Sequence, residues 1–140
     1  MTNQIYPCLW FNGQAKEAAT FYCSIFKDAK IIVDTPMVVT FIMNGNKFMC
    51  LNGGPQFKFN EAVSFVVNGD TQDGINYYWA KLTAGGEESR CGWLKDKFGV
   101  SWQIVPTILA SLMSDPIKRE WVVKAFMKMK KLDIGIMKNA

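Results

Sequence analysis

Leu9-Trp10-Phe11-Asn12-Gly13-Gln14-Ala15-Lys16-Glu17-Ala18-Ala19-Thr20-Phe21-Tyr22 decides the fold, because its landmarks return further along the chain. Ile5–Phe11 reads as a buried strand and Asn12-Gly13 as the turn that ends it. From Gln14 to Phe26 the residues Ala18, Phe21, Tyr22, Ile25 and Phe26 recur at threes and fours, the spacing of one apolar helix face. Lys30–Val33, Met37–Met43 and Lys47–Leu51 then read as three strands, the last two joined by a hairpin turn at Asn44-Gly45-Asn46. Asn52-Gly53-Gly54-Pro55 breaks the pattern as a connector would.

The second half starts over. Ala62–Val67 reads as a strand, Asn68-Gly69 as a turn, and Thr71–Leu82 as a helix with Ile75, Tyr78, Trp79 and Leu82 on its apolar face, closed by Gly85-Gly86. Strands are expected around Glu88–Leu94 and Val100–Val105, with Asp96-Lys97-Phe98-Gly99 as the turn between them. A shift of 56 carries Asn12-Gly13 onto Asn68-Gly69 and Phe21-Tyr22 onto Tyr77-Tyr78. A shift of 54 carries Gly45 onto Gly99 and Phe48 onto Trp102. Four landmarks in one order point to a duplicated βαβββ unit. One such unit exposes a sheet face, which pairing two around a cleft would cover.

The 140-residue chain contains no histidine. That absence removes histidine bases, Ser-His-Asp and Cys-His arrangements, and zinc or iron sites built on imidazole. Cys8, Cys23, Cys50 and Cys91 lie far apart without a Cys-x-x-Cys pair, so reduced and mostly buried thiols are expected. The net charge of +4 is all in the tail: residues 1–113 balance nine basic against nine acidic groups, and residues 114–140 carry seven against three. In that tail Pro116 behind Ser114-Asp115 marks a helix start, and Val122, Ala125, Phe126 and Met129 mark its apolar face through Lys131. Leu132–Met137 reads as a last turn or two. A solvated basic face is expected there, with neither nucleic acid nor membrane as partner. Met1-Thr2-Asn3-Gln4 shows no basic or apolar leader pattern and no stretch approaches a membrane span, so a cytoplasmic protein is expected.

The repeat, with Leu9–Ala15 and Glu17-Ala18 leading to Phe21-Tyr22, resembles the vicinal oxygen chelate (glyoxalase/bleomycin-resistance) superfamily. Leu51-Asn52-Gly53-Gly54-Pro55, Glu61-Ala62-Val63-Ser64-Phe65, Cys91-Gly92-Trp93-Leu94-Lys95-Asp96 and Phe98-Gly99-Val100-Ser101-Trp102-Gln103 resemble its PhnB-like branch, often labelled 3-demethylubiquinone-9 3-methyltransferase. The resemblance covers about residues 4–131. It implies an α+β fold: a single glyoxalase-like domain over 1–140, with βαβββ units at 4–54 and 60–106 forming an open barrel sheet and a helical tail at 107–140. Homodimers are common among such relatives.

Metal enzymes of the superfamily hold one divalent ion with His, Glu or Gln from the first and last strand of each unit. Aligned on Phe21-Tyr22, those slots fall near Tyr6 or Cys8 and near Ala62 or Ser64. Aligned on the turn glycine, they fall at Met49 and Gln103. Only Gln103 is a usual ligand type, so neither metal nor cofactor is expected. The methyltransferase label implies S-adenosylmethionine, yet the order of elements is not doubly wound and Gly53-Gly54-Pro55 reads as a turn. The expectation is therefore a metal-free cleft between the repeats that binds a small apolar or aromatic molecule. Tyr6, Cys8, Trp10, Met49, Ser64 and Gln103 are its candidate lining, with Gln103 and Ser64 orienting the ligand. Lys95-Asp96 reads as turn chemistry and a solvated pair. Two alternatives stand beside this: an isomerase, lyase or transferase using Tyr6 or Cys8, and a degenerate structural or interaction domain with a packed cleft.

Overall fold

The structure, a computed structural model, describes residues 3–140; Met1 and Thr2, half of the amino-terminal stretch read above for a leader, lie outside the described residues. The chain divides into two compact units, one ending at Phe59 and the other spanning Asn60–Ala140. The architecture is α+β, with a four-stranded sheet and a crossover helix in each unit.

The first unit runs β1 (Cys8–Phe11), α1 (Ala15–Ile25), β2 (Lys30–Asp34), β3 (Val38–Met43) and β4 (Asn46–Asn52), with sheet order β1-β4-β3-β2. β1 and β4 are parallel, a pairing that needs a crossover, and α1 supplies it. Strand β1 is shorter than its apolar run: it begins at Cys8, Ile5 and Pro7 before it are exposed, and within it only Leu9 and Phe11 are buried. Ala15, Ala18, Ala19, Tyr22 and Ile25 form the buried helix face, and Phe21 and Phe26 are half-buried at its margin. Three alanines let the helix axis approach a sheet face made bulky by Phe41 and Phe48, whose rings stack at 5.5 Å. The hairpin turn is two residues long: Met43 pairs with Asn46, and Asn44 and Gly45 take φ of 51° and 78°, the left-handed pair of a type I′ turn.

The second unit runs β5 (Ser64–Gly69), α2 (Gln72–Thr83), β6 (Glu87–Glu88), β7 (Trp93–Lys95) and β8 (Ser101–Pro106), with the same sheet order, β5-β8-β7-β6, and the same parallel pair. Three helices follow: α3 (Leu109–Ser114), α4 (Arg119–Phe126) and α5 (Ile134–Lys138). The Thr71 hydroxyl caps α2 by accepting from the Gly74 N–H at 3.1 Å. Ile75, Trp79 and Leu82 are the buried face of α2, set against Leu94, Trp102 and Ile104. The segment expected as one strand, Glu88–Leu94, is two strands around a tight turn in which Cys91 and Gly92 both have positive φ. Asn68 and Gly69 are not a turn; they extend β5 by pairing with Val105 and Pro106.

The duplication holds in topology, yet its register differs from the landmark alignment. The buried positions Ala18, Tyr22 and Ile25 of α1 match Ile75, Trp79 and Leu82 of α2 at an offset of 57, while Phe48 and Cys50 match Trp102 and Ile104 at 54. Through the parallel pairings Leu9–Cys50 and Val67–Ile104, the first strands match at 58. Tyr77 and Tyr78 therefore mimic Phe21-Tyr22 in letters only; Trp79 holds the place of Tyr22.

The tail also differs from one long helix. Asp115 Oδ1 accepts from the N–H groups of Ile117 and Lys118 at 2.9 and 3.3 Å, forming a turn, so the helix begins at Arg119. After Met127 the i→i−4 bonding of α4 ends, and the carbonyls of Met129 and Lys130 accept from the N–H groups of Cys91 and Gly92, both at 2.8 Å. The Gln72 side chain completes the docking, donating to the Leu132 carbonyl at 3.1 Å and accepting from the Ile134 N–H at 2.9 Å. Val122, Leu132 and Met137 are buried beneath these contacts. No helix among the described residues is long and apolar enough to cross a membrane.

Candidate functional site

Each sheet has a face turned away from its helix, and strand alternation decides which residues occupy it. In the first unit Leu9, Phe11, Phe48 and Cys50 point to the α1 side, so Cys8, Trp10 and Met49 lie on the other. Cys8 pairs directly with Met49 across the parallel ladder. Tyr6 precedes the strand, with the Lys47 ammonium 4.4 Å above its ring. Trp10 is held by the block that follows β4. Its indole Nε1 donates to the Gly54 carbonyl at 2.9 Å, and Gly53 lies flat against the ring, where any Cβ would overlap it. Asn52 in the same block caps α1 from a distance: its Oδ1 accepts from the Ala15 N–H at 2.9 Å, and its Nδ2 donates to the Pro36 carbonyl at 2.9 Å. The Leu-Asn-Gly-Gly-Pro stretch thus seats a helix and an indole, and its glycines are not a phosphate cradle.

In the second unit Trp102 and Ile104 face α2, so Ser64, Gln103, Trp93 and Lys95 lie on the opposite face. Gln103 Nε2 donates to Ser64 Oγ at 2.9 Å, which gives the amide its polar partner. Lys95 and Asp96 are not a pair. Lys95 Nζ reaches Glu61 Oε1 at 3.0 Å and holds that carboxyl below its usual range, chiefly by the hydrogen bond it donates. Asp96 is buried, its Oδ1 accepting from the N–H groups of Phe98 and Val100 and its Oδ2 from Trp102 Nε1 at 2.9 Å.

This unit contains a cavity of about 430 Å³ walled by Glu61, the two residues of β6, Ser89, Arg90, Trp93, Lys95 and Ser101. Its volume lies in the range of small-molecule sites, about 300–1,000 Å³. Ser101 is 1% exposed and its hydroxyl has no hydrogen-bond partner among the described residues. None of the six candidates from the sequence borders this cavity, although Gln103 is the cross-strand neighbour of Trp93. The sequence does not place Trp93 on this face because the break at Cys91 hides the start of β7, and with it the alternation that sets Trp93 beside Lys95; Ser101 was readable, two residues before Gln103 in the expected strand Val100–Val105. The signal was the Cys91-Gly92 pair before Trp93.

The four thiols are free, and only Cys50 is fully buried; Cys23 and Cys91 are half-buried and Cys8 is exposed. Burial pushes the Cys50 thiol up to about 12, with Cys8 and Cys23 adding repulsion, and desolvation raises Cys8 and Cys23 as well. A divalent ion fits the first-strand and last-strand slots poorly on donor chemistry alone. Cys8 keeps its proton at neutral pH, Met49 offers a thioether, Gln103 has its amide nitrogen committed to Ser64, and Val66 faces Gln103 across the ladder. Among the described residues no three His, Cys, Asp or Glu side chains cluster as metal ligands would.

Solved structures with this pair of four-stranded sheets are glyoxalase-related proteins. The FosX fosfomycin resistance protein of Listeria monocytogenes, solved with Mn(II) and sulfate, is 12% identical with a TM-score of 0.59, over 81% of this chain and 97% of its own. Protein PA1353 of Pseudomonas aeruginosa is 21% identical with a TM-score of 0.63, over 75% of this chain and 98% of its own. The PhnB protein of Bacillus cereus, which bears a 3-demethylubiquinone-9 3-methyltransferase designation, is 31% identical with a TM-score of 0.69, over 75% of this chain and all of its own. The 3-demethylubiquinone-9 3-methyltransferase family model matches residues 3–105. The chain belongs to that family, the PhnB-like branch of the vicinal oxygen chelate superfamily. A search of curated proteins gives no match. The residues do not fit S-adenosylmethionine in its usual cradle either: neither sheet is doubly wound, and Gly53 and Gly54 are taken up by Trp10.

Proposed function

We propose that this PhnB-like protein binds a small aromatic or apolar molecule without a metal ion, and that the cavity of the second unit is where it does so. One observation carries the reading: about 430 Å³ of space is bordered by an indole and by a buried hydroxyl lacking a partner. A ligand oxygen would give that hydroxyl the partner whose loss is otherwise costly. The donor chemistry of the strand slots supports the metal-free part. The Ser64–Gln103 pair supplies a polar edge beside Trp93. The first unit's face with Tyr6, Cys8, Trp10 and Met49 is a further apolar surface of the kind such ligands contact. Catalysis through Cys8 is the weaker reading, because desolvation raises its thiol. The homodimer and the cytoplasmic location are parts of the same proposal.

Native mass spectrometry of the purified protein, with metal analysis after addition of manganese and zinc, tests this directly. The expected result is a dimer that retains a small organic molecule or binds an added aromatic one, with no stoichiometric metal. One tightly held metal ion per chain would overturn the metal-free reading.

A further inference from the structure

The cavity wall narrows the class of molecule. Trp93 and Lys95 stand two apart on β7, so both project from one face at a spacing of about 7 Å. Ser101 is the cross-strand partner of Lys95, which sets its hydroxyl beside the lysine. That hydroxyl is buried and unpartnered, so a ligand oxygen reaching it would recover a missing hydrogen bond. The ammonium of Lys95 already holds a carboxylate, that of Glu61 at 3.0 Å, and this carboxylate is 63% exposed on the segment before β5. An ion pair so exposed is weakly held. Of the other wall charges, Glu88 accepts from Trp79 Nε1 at 2.7 Å, whereas Glu87 is the exposed cross-strand partner of Lys95 and lies on the same face, and Arg90 is an exposed second cation. Glu61 therefore marks where a carboxylate binds and is itself replaceable.

We propose that the cavity takes a small aromatic carboxylate, whose carboxylate group displaces Glu61 from Lys95 and accepts from Ser101 while its ring packs against Trp93. This rests on the reading of the cavity as the ligand site, and the test separates the two.

Benzoate, benzamide and cyclohexanecarboxylate are titrated calorimetrically into the full chain and into Glu61→Gln, Lys95→Met and Ser101→Ala, each checked for folding by circular dichroism. Benzoate is expected to bind about tenfold or more tighter than benzamide, because the hydrogen bonds are charge-assisted. It is also expected to bind several-fold tighter than the saturated acid, which lacks the ring quadrupole. Glu61→Gln is expected to tighten benzoate several-fold, because the resident competitor no longer carries charge. Lys95→Met is expected to erase the preference for benzoate over benzamide. Ser101→Ala is expected to weaken benzoate while leaving the melting temperature of the free protein unchanged or higher, since it removes an unsatisfied buried group. Equal binding of benzoate and benzamide overturns the carboxylate assignment and leaves the aromatic site standing. Weaker benzoate binding in Glu61→Gln overturns displacement by making Glu61 a ligand contact. No binding of any of the three overturns this proposal and the cavity reading together.

Discussion

The two units share a strand order but differ in how much bulk the helix brings to the core. In the first, α1 contributes three buried alanines and the sheet contributes Phe41 and Phe48; in the second, α2 contributes Ile75, Trp79 and Leu82. Their last hairpins differ too. The Asn44-Gly45 turn relies on backbone geometry with one exposed amide contact, Asn46 Nδ2 donating to the Asn44 carbonyl at 3.3 Å, whereas a buried carboxylate organises the turn from Asp96 to Gly99. The faces away from the helices diverge most: Cys8, Trp10 and Met49 in one unit, and Ser64, Gln103, Lys95 and Ser101 in the other. A duplicated topology thus constrains which positions are buried and leaves the chemistry of the open face free to diverge.

The sharpest way to break this comparison is at the turns. Asp96→Ala leaves three donors without their acceptor, one of them the indole of a buried tryptophan, and is expected to cost about 3 kcal/mol or more. Asn44→Ala asks an alanine to hold φ of 51° in an exposed turn, and should cost about 1 kcal/mol. Urea unfolding of the two variants measures both; equal losses would show that the carboxylate is not what distinguishes the hairpins.

Core substitutions at matched positions come next. Ile75→Ala empties a fully buried site in the second unit and is expected to cost about 3 kcal/mol. Ala18→Ile places the larger side chain at the matching site of the first, where α1 already lies close to the sheet, and is expected to cost about 2 kcal/mol by overpacking. A stabilising Ala18→Ile would show that the first unit carries spare volume. The same pair explains what the sequence made legible. Three-four spacing identified both helices and most of their buried faces, because that period is local. The offset of 57 was not readable, because Phe21-Tyr22 and Tyr77-Tyr78 look alike while burial depends on which ring the sheet accommodates. The break at Cys91 was equally hidden, since a cysteine carries no turn preference and takes φ of 59° there to send two N–H groups to the tail. With the start of β7 hidden, the Trp93–Lys95 face could not be assembled, although Ser64 and Gln103 could each be assigned to the cleft lining.

The units are also expected to lose stability at opposite ends of the pH range. Cys8, Cys23 and Cys50 all belong to the first unit, and all are pushed up, Cys50 to about 12. A thiol whose folded value exceeds its unfolded one favours the native state while protonated in both, so this stability is complete below about pH 9 and drains away as pH rises toward 12. Cys50→Val removes the largest of these groups at nearly constant volume. Its urea midpoint is expected to fall less between pH 8 and 10.5 than that of the parent; identical slopes would show that Cys50 ionises without unfolding anything.

The smallest effect belongs to Glu61. Lys95 holds this carboxyl below its usual range, and the depressed value places the sign opposite to that of the thiols. The ion pair stabilises the second unit where Glu61 is charged in both states, above its ordinary value of 4.5, and the contribution is lost as pH falls through the lowered folded value. Because the carboxylate is exposed, water and salt screen most of this gain. Glu61→Gln is therefore expected to leave stability at neutral pH nearly unchanged and to flatten only the acid limb of the urea midpoint, an effect that shrinks further in high salt. A large loss at pH 7 would mean that the pair holds the segment before β5 in place. Glu61 would then be too firmly seated to give way to a ligand, so this least energetic contact decides whether the open face of the second unit is structural or available for binding.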